Sequence, residues 1–497
     1  MATGRNPVAD CLALAALPGL EQMSAALTSG SSSVWGKHPE SMLILLGARA
    51  AFGSLNAAAS ALRTTGLWED MRASAARVGR VLPTRPPTEN QWWHLRRRGG
   101  HELGGPLAEA FAESAIDVAR AVGLLTPRSP RWHRPRRENV VYGDGSLIAG
   151  LSDVRVDPET GEVIGSRARF DGGGPGPRLG EVFIGKDGTA AGTGLPVAMV
   201  GCHGGMRWQR VVLGVDIYSD RNEVAAAMRL FEGLLARAQG TVHAVVYDGL
   251  LPGAGQQWLM RRGVVPIVPM AEAKERARFV TLPEELRQRR RSAGCAGKRD
   301  KAPKARLQVH PLEAAEHWTG MGLCVHRLYS IDGVLVALQG REEVSLDAPV
   351  APQVDLRFEP RPGGMALIGT YRVPCRHGSF VHSIDLSANR TGRRSGGGQP
   401  AFVDVLRPID PVEASYELAG YREDAESAFN TLQRALPHDR RASSLRPGDF
   451  LCDVVGVGLW MNAVAWDVHG AQHTPTGREN YAAVMRSEKA KRRRKRT

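Results

Sequence analysis

Three acidic side chains in this chain have the type and surroundings that phosphodiester chemistry requires. They are Asp144 in Val-Val-Tyr-Gly-Asp-Gly-Ser, Asp248 in His-Ala-Val-Val-Tyr-Asp-Gly and Glu426 in Tyr-Arg-Glu-Asp-Ala-Glu-Ser. Cutting or joining a phosphodiester needs a positioned nucleophile and neutralisation of charge on the attacking and leaving oxygens. Two Mg²⁺ or Mn²⁺ ions held by carboxylate oxygens supply both. Asp144 is placed to bridge both ions, Asp248 to complete one, and Glu426 to complete the other or orient water. Singly, an Asp-Gly after a strand is an ordinary turn, and a helical glutamate is an ordinary solvated residue. The chemistry lies in the three taken together and in order.

Positioning these acids falls to two strands and a helix. Val140–Tyr142 reads as a strand ending near Asp144, and Val242–Tyr247 as one ending at Asp248. Between them lie candidate strands over Val197–Val200 and Arg210–Ile217, then an amphipathic helix from Asn222 to Ala238. A helix is expected over Gly255–Arg262, followed by an edge strand in Val264–Met270, where prolines exclude a central ladder position. Glu426 sits on a helix with Arg422, and the spacing of four puts both on one face, where the arginine could contact a phosphate.

Upstream, the Ala- and Leu-rich residues 6–80 predict helices and no strands. Downstream of Val309, β-rich patterns recur at Cys324–Tyr329, Gly333–Gln339, Val354–Phe358, Met365–Val373 and Ser379–Leu386. Val454–Trp466 is apolar enough for a buried core helix. No stretch is read as long enough to anchor in a membrane.

Composition narrows the partner. The 497 residues carry a formal net charge of +14, with a pI near 9.9, which favours a polyanion such as nucleic acid. Nine Lys or Arg residues and one Asp occupy 287–306, including Arg289, Arg290 and Arg291. The last eleven residues hold seven basic side chains, among them Arg492, Arg493 and Arg494, against one acid. Trp92 and Trp93 precede Arg96, Arg97 and Arg98, with core packing the preferred reading for the tryptophans and DNA contact the reading for the arginines. Six cysteines scattered over the chain make no disulfide framework and point to a reducing, cytoplasmic setting.

The strings Tyr142-Gly-Asp-Gly-Ser, Val246-Tyr-Asp-Gly-Leu-Leu-Pro-Gly and Arg422-Glu-Asp-Ala-Glu-Ser, with Arg441-Ala-Ser-Ser and Leu459-Trp-Met-Asn-Ala-Val-Ala-Trp downstream, resemble the DDE transposases of bacterial insertion sequences over roughly 139–470. The resemblance implies a ribonuclease H-like core, interrupted by a β-rich insertion before the last catalytic helix. It also implies Asp144, Asp248 and Glu426 as the metal-binding triad of an enzyme that nicks DNA and transfers strands. The chain departs from the family's signature around the glutamate. Ala419 stands where a tyrosine is expected, with Tyr421 beside Arg422, and Gln433 stands where a lysine is expected, with Arg434 next to it.

Cys324, His326, Cys375 and His377 form two pairs that could each offer two ligands to Zn²⁺ from one strand face. Their spacing is unlike common zinc fingers, so incidental placement is preferred and no zinc site is expected. The Gly172-Gly-Gly-Pro-Gly-Pro segment lacks the lysine and the helix of a phosphate-binding loop.

The chain is therefore expected to be α/β, with a helical domain over 1–81 and a basic, aromatic helical segment over 82–138. The first part of a ribonuclease H-like mixed sheet should occupy 139–286. A basic loop and β-rich insertion follow over 287–410, catalytic-core helices over 411–480 and a basic tail over 481–497. The expected partner is double-stranded DNA, both element ends and target, engaged by a homodimer away from membranes. A non-catalytic DNA-binding protein and a stand-alone metal-dependent nuclease are the alternatives.

Overall fold

The computed structural model describes residues 6–28, 35–36, 38–64, 66–99, 102–149, 154–156, 163–166, 182–184, 190–204, 208–218, 223–248, 251–268, 278–281, 306–331, 333–339, 349–390, 401–409, 421–436 and 447–473. In chain order the elements begin with helices α1 (Pro7–Ala15), α2 (Leu20–Thr28), α3 (Pro39–Phe52), α4 (Leu55–Thr64), α5 (Leu67–Arg77), α6 (Glu89–Gly99) and α7 (Gly104–Ala121). Strands β1 (Val140–Ala149), β2 (Val154–Val156), β3 (Val163–Ser166), β4 (Val182–Ile184), β5 (Ala190–His203) and β6 (Arg210–Ile217) follow. Next come α8 (Glu223–Ala238), β7 (Ala244–Val246), α9 (Gly253–Arg261), β8 (Val265–Ile267), β9 (Arg278–Thr281), β10 (Arg306–Thr319), β11 (Gly322–Ile331) and β12 (Val334–Gln339). The series closes with β13 (Gln353–Arg361), β14 (Gly364–Val373), β15 (Phe380–Asp385), α10 (Tyr421–Ala435) and α11 (Pro447–His473). The architecture is mixed α/β. The chain divides into two units, one of Met1–Thr126, Gly143–Gln239 and Ala425–Thr497, the other of Pro127–Tyr142 and Gly240–Asp424.

In the first unit, α11 is the central element, packed by α1, α3, α7 and β6. The N-terminal helices and this C-terminal helix, read from sequence as separate segments, therefore share one core. Local signals set the helix bounds: α3 opens on Pro39, whose missing N–H costs nothing there, and stops at Gly53, in the left-handed conformation with φ 79°. Three contacts to acidic side chains tie α11 to other helices. The Trp460 indole donates to Asp10 at 2.8 Å, Arg49 pairs with Asp453, and Arg96 pairs with Asp449 at 2.6 Å.

Strand β5 pairs antiparallel with β6, and the register slips between Val200 and Gly201. Beside that bulge the buried Asn462 accepts from the Val212 N–H at 2.8 Å and donates to its carbonyl at 3.0 Å. This side chain from α11 occupies backbone groups that a further strand would otherwise use. The expectation that no stretch reaches membrane length is corrected, because Gly448–Gly470 within α11 is long and apolar enough to cross a membrane. The sequence reading stopped at Val454–Trp466 because Asp449, Asp453 and Asp467 interrupt the apolar run; the helix continues through them. Most of this segment is buried inside the fold.

In the second unit, β1 pairs in parallel with β7, and β7 with β8. Pro266 sits on β8 at the end of the strand order, as its missing N–H requires. Two antiparallel sheets follow, β12-β11-β10-β9 and β13-β14-β15. Strand β10 was not anticipated from sequence. Pro311 disguises it, and the structure accommodates that proline at a register shift between Pro311 and Ala314.

Candidate active site

Asp144 lies inside a strand and not at its end. β1 continues from Val140 through Asp144 to Ala149, so the expectation that the strand stops near the aspartate is corrected. Gly143 and Gly145, poor strand formers, hide the continuation in the sequence. Asp144 is half-buried, and its Oδ1 accepts the Gly145 N–H at 3.0 Å.

Gly145 has a second role. A Cβ placed on it would lie 2.2 Å from Cδ and 2.5 Å from Oε2 of Glu223. The half-buried Glu223 carboxylate therefore rests against the backbone beside Asp144. Glu223 is the first residue of α8, where the helix dipole favours negative charge. The sequence reading missed this residue, because an acid at a helix start looks like ordinary capping chemistry.

Glu426 is exposed on α10, whose buried side is made by Ala425, Ala428, Phe429 and Leu432. Gln433, seven residues on, donates from Nε2 to Ser146 Oγ at 3.2 Å. A spacing of seven is nearly two helical turns, so Glu426 and Gln433 share one side of α10, roughly 10 Å apart along its axis. Asp144 and Ser146, two apart on β1, share one side of the strand. The Gln433 contact thus joins the side of α10 that carries Glu426 to the side of β1 that carries Asp144. Arg422 lies in the first turn of the same helix, and its side chain is outside the described residues.

In the second unit, the parallel ladder between β1 and β7 pairs Val140 with Ala244, Val141 with Val245 and Tyr142 with Val246. Asp248 comes two residues after the last of these pairs. It is half-buried, and its carbonyl accepts the Leu251 N–H at 3.3 Å in the turn leading to α9.

Among the described residues, no group of three or more His, Cys, Asp or Glu side chains is arranged to hold a metal ion. The donor chemistry of Asp144, Asp248 and Glu426 is nonetheless all-oxygen and anionic, which suits hard divalent cations.

The arginines expected at DNA have separate fates. Arg96 is mostly buried, with Nη2 2.6 Å and Nε 3.3 Å from the two Asp449 oxygens. Burial works against its charge, but the Asp449 hydrogen bond and charge outweigh that and raise its pKa. Its guanidinium also lies 5.1 Å from the ring of the exposed Trp93, while Trp92 is in the core. Arg97, Arg98 and Arg434 are exposed. Arg289, Arg290, Arg291, Arg492, Arg493 and Arg494 lie outside the described residues, as does the Gly172 loop.

Cys324, His326, Cys375 and His377 all belong to the second unit. Cys324 and His326 point inward from β11, and His317 is the cross-strand partner of Cys324. His326 is fully buried, neither ring nitrogen has a hydrogen-bond partner, and the ring lies 5.1 Å from Phe380. Burial, then the neighbouring His317, lowers its pKa. The Cys324 thiol is raised by burial and by contact with Cys375. His377 is exposed and accepts from Arg376 Nε at 3.0 Å.

Comparison with family models, with curated proteins and with solved structures finds no match for this chain.

Proposed function

We propose that this protein is a DDE-type transposase with a ribonuclease H-like core, which nicks DNA at the ends of a mobile element and joins them to target DNA in the cytoplasm. The observation that carries the reading is the parallel register of β1 and β7. Val140–Tyr142 and Ala244–Val246 pair rung for rung, and the chain reaches an aspartate two residues past the last rung on each strand. Two paired parallel strands, one carrying an aspartate within it and the other followed by one, with a helix bearing a third acid that meets the first strand through Gln433 and Ser146, support carboxylate-assisted phosphoryl transfer. The net charge of +14 supports a DNA substrate.

Asp144, Asp248 and Glu426 would hold Mg²⁺ or Mn²⁺. When bound, such ions supply charge neutralisation and a nucleophile activated at neutral pH. The protein's own contribution is orientation. Gly145 leaves the space beside Asp144 to the Glu223 carboxylate, and the Gln433 contact links α10 to β1. Arg422, one turn before Glu426, would steady a phosphate, and a homodimer would hold both element ends.

The test is a nicking and strand-transfer assay with the purified protein, Mg²⁺ or Mn²⁺ and labelled fragments from both borders of its gene, beside Asp144→Asn, Asp248→Asn and Glu426→Gln. Metal-dependent nicks and joined products, lost in all three variants while DNA binding persists, support the reading. Nicks without joined products indicate a stand-alone nuclease, and binding without cleavage in either metal indicates a non-catalytic DNA-binding protein.

A further inference from the structure

The segment Pro127–Arg137 reads Pro-Arg-Ser-Pro-Arg-Trp-His-Arg-Pro-Arg-Arg, five arginines and no acid in eleven residues. Arg128, Arg131, His133 and Arg134 are exposed. A run of this kind on a free tail would be solvated charge. This one is pinned to the second unit at several points.

Trp132, half-buried, sets its ring edge-on to Phe358 of β13 at 4.8 Å and to His243 at 5.7 Å. The Arg134 N–H donates to the Arg131 carbonyl at 3.1 Å, closing a turn around the tryptophan. At the exit, the fully buried Asn139 donates from Nδ2 to the Thr241 carbonyl at 2.8 Å. The Asn139 carbonyl in turn accepts the His243 N–H at 2.9 Å. Pro127, Pro130 and Pro135 fix φ at three further positions.

Each anchor removes conformational freedom from the segment before any ligand arrives. Ordering a loop on binding costs free energy that a pre-ordered one has already met. Turning the tryptophan inward also leaves the arginines between the prolines to face out. A planar guanidinium bonds two phosphate oxygens at once, which suits arginine to a regularly spaced polyanion.

We propose that Pro127–Arg137 is a preformed strap that binds the phosphate backbone of duplex DNA, with Arg128, Arg131 and Arg134 as the contacting side chains and Trp132 as the positioning residue. That the polyanion is DNA rests on the function proposed above; that the strap binds phosphates rests on its own geometry. Three such contacts contribute about 2.7 to the slope of log affinity against log salt. The strap leads through Arg137–Asn139 into β1.

The experiment measures affinity of the full chain for a short random-sequence duplex as a function of salt, scored by binding and not by cleavage. The variants are Arg128→Gln/Arg131→Gln/Arg134→Gln, a charge-matched control Arg327→Gln/Arg361→Gln/Arg372→Gln, Trp132→Ala and Trp132→Phe, with thermal melting confirming that each folds. Wild-type affinity should fall about 40-fold more than that of the strap variant between roughly 50 and 200 mM salt. The control should retain the wild-type slope. Trp132→Ala should weaken binding with no change in charge, and Trp132→Phe should restore it. A folded strap variant with the wild-type salt slope would overturn the proposal, as would tighter binding to duplex RNA than to DNA. Absence of nicking with the strap dependence intact would overturn the transposase reading alone.

Discussion

Gln433 and Ser146, 287 residues apart in sequence, meet at 3.2 Å in the first unit, and the contact joins the Glu426 side of α10 to the Asp144 side of β1. Gln433 occupies the position where the resemblance leads one to expect a lysine. The amide cannot supply that cation, but it supplies a directional hydrogen bond. Ser146→Ala and Gln433→Ala should each cost about 0.5–1.5 kcal/mol of stability, and the double variant should cost less than their sum. A double-mutant cycle by denaturant unfolding checks this, and full additivity would mean that the pair does not interact.

Gly145→Ala separates a local site effect from a folding effect. The new methyl meets the far end of the flexible Glu223 side chain, which can swing aside, so the melting temperature should change by no more than about 1 kcal/mol of stability allows. If the carboxylate beside Asp144 matters to the reaction, nicking should fall by an order of magnitude or more in Gly145→Ala and again in Glu223→Gln, with duplex affinity unchanged. Wild-type nicking in both would remove Glu223 from the site.

Arg96, Arg97 and Arg98 are adjacent in sequence and opposite in role. Arg96→Ala removes the guanidinium paired with the buried Asp449 and should cost about 3–5 kcal/mol, read as a lower denaturation midpoint. Arg97→Gln/Arg98→Gln should leave stability within about 0.5 kcal/mol and lower the salt dependence of DNA binding. If Arg96→Ala were as stable as wild type, the pairing with Asp449 would have no structural weight.

The second unit should be sensitive to acid. Burial lowers the pKa values of His243, His310, His326 and His382 below the ordinary 6.5. Arg136 adds to the effect on His243, Arg390 to that on His310 and His317 to that on His326, while Glu313 offsets part of it for His382. A folded pKa below the unfolded one means that the unfolded chain binds more protons between the two values. Stability from these groups is thus present above about pH 6.5 and is lost as pH falls toward the folded values. Melting temperatures followed from neutral to mildly acidic pH should drop, and His326→Phe, which removes a fully buried imidazole, should drop less. An identical pH profile in that variant would rule out His326 as a contributor.

Much of this protein was legible as a string of residues because its signals are local. The apolar spacing of residues 6–80 yields α1–α5, the β-branched runs yield β5, β6 and β7, and the prolines of Val264–Met270 mark an edge position that β8 indeed takes. Other features depend on which distant segments meet, and no local rule carries that information. Glycines on either side of Asp144 conceal the continuation of β1, whose conformation is set by pairing with distant strands. Pro311 conceals β10, because only the cross-strand register reveals the bulge that tolerates it. Arg96 reads like its neighbours until Asp449 is brought against it from across the chain, and a buried charge must be neutralised where an exposed one need not be. Sequence alone determined the three carboxylates, their order and the basic composition from which the function is proposed. Tertiary structure decided that Glu223 stands beside Asp144, that Gln433 meets Ser146, and that Trp132 packs a run of arginines against Phe358 and His243.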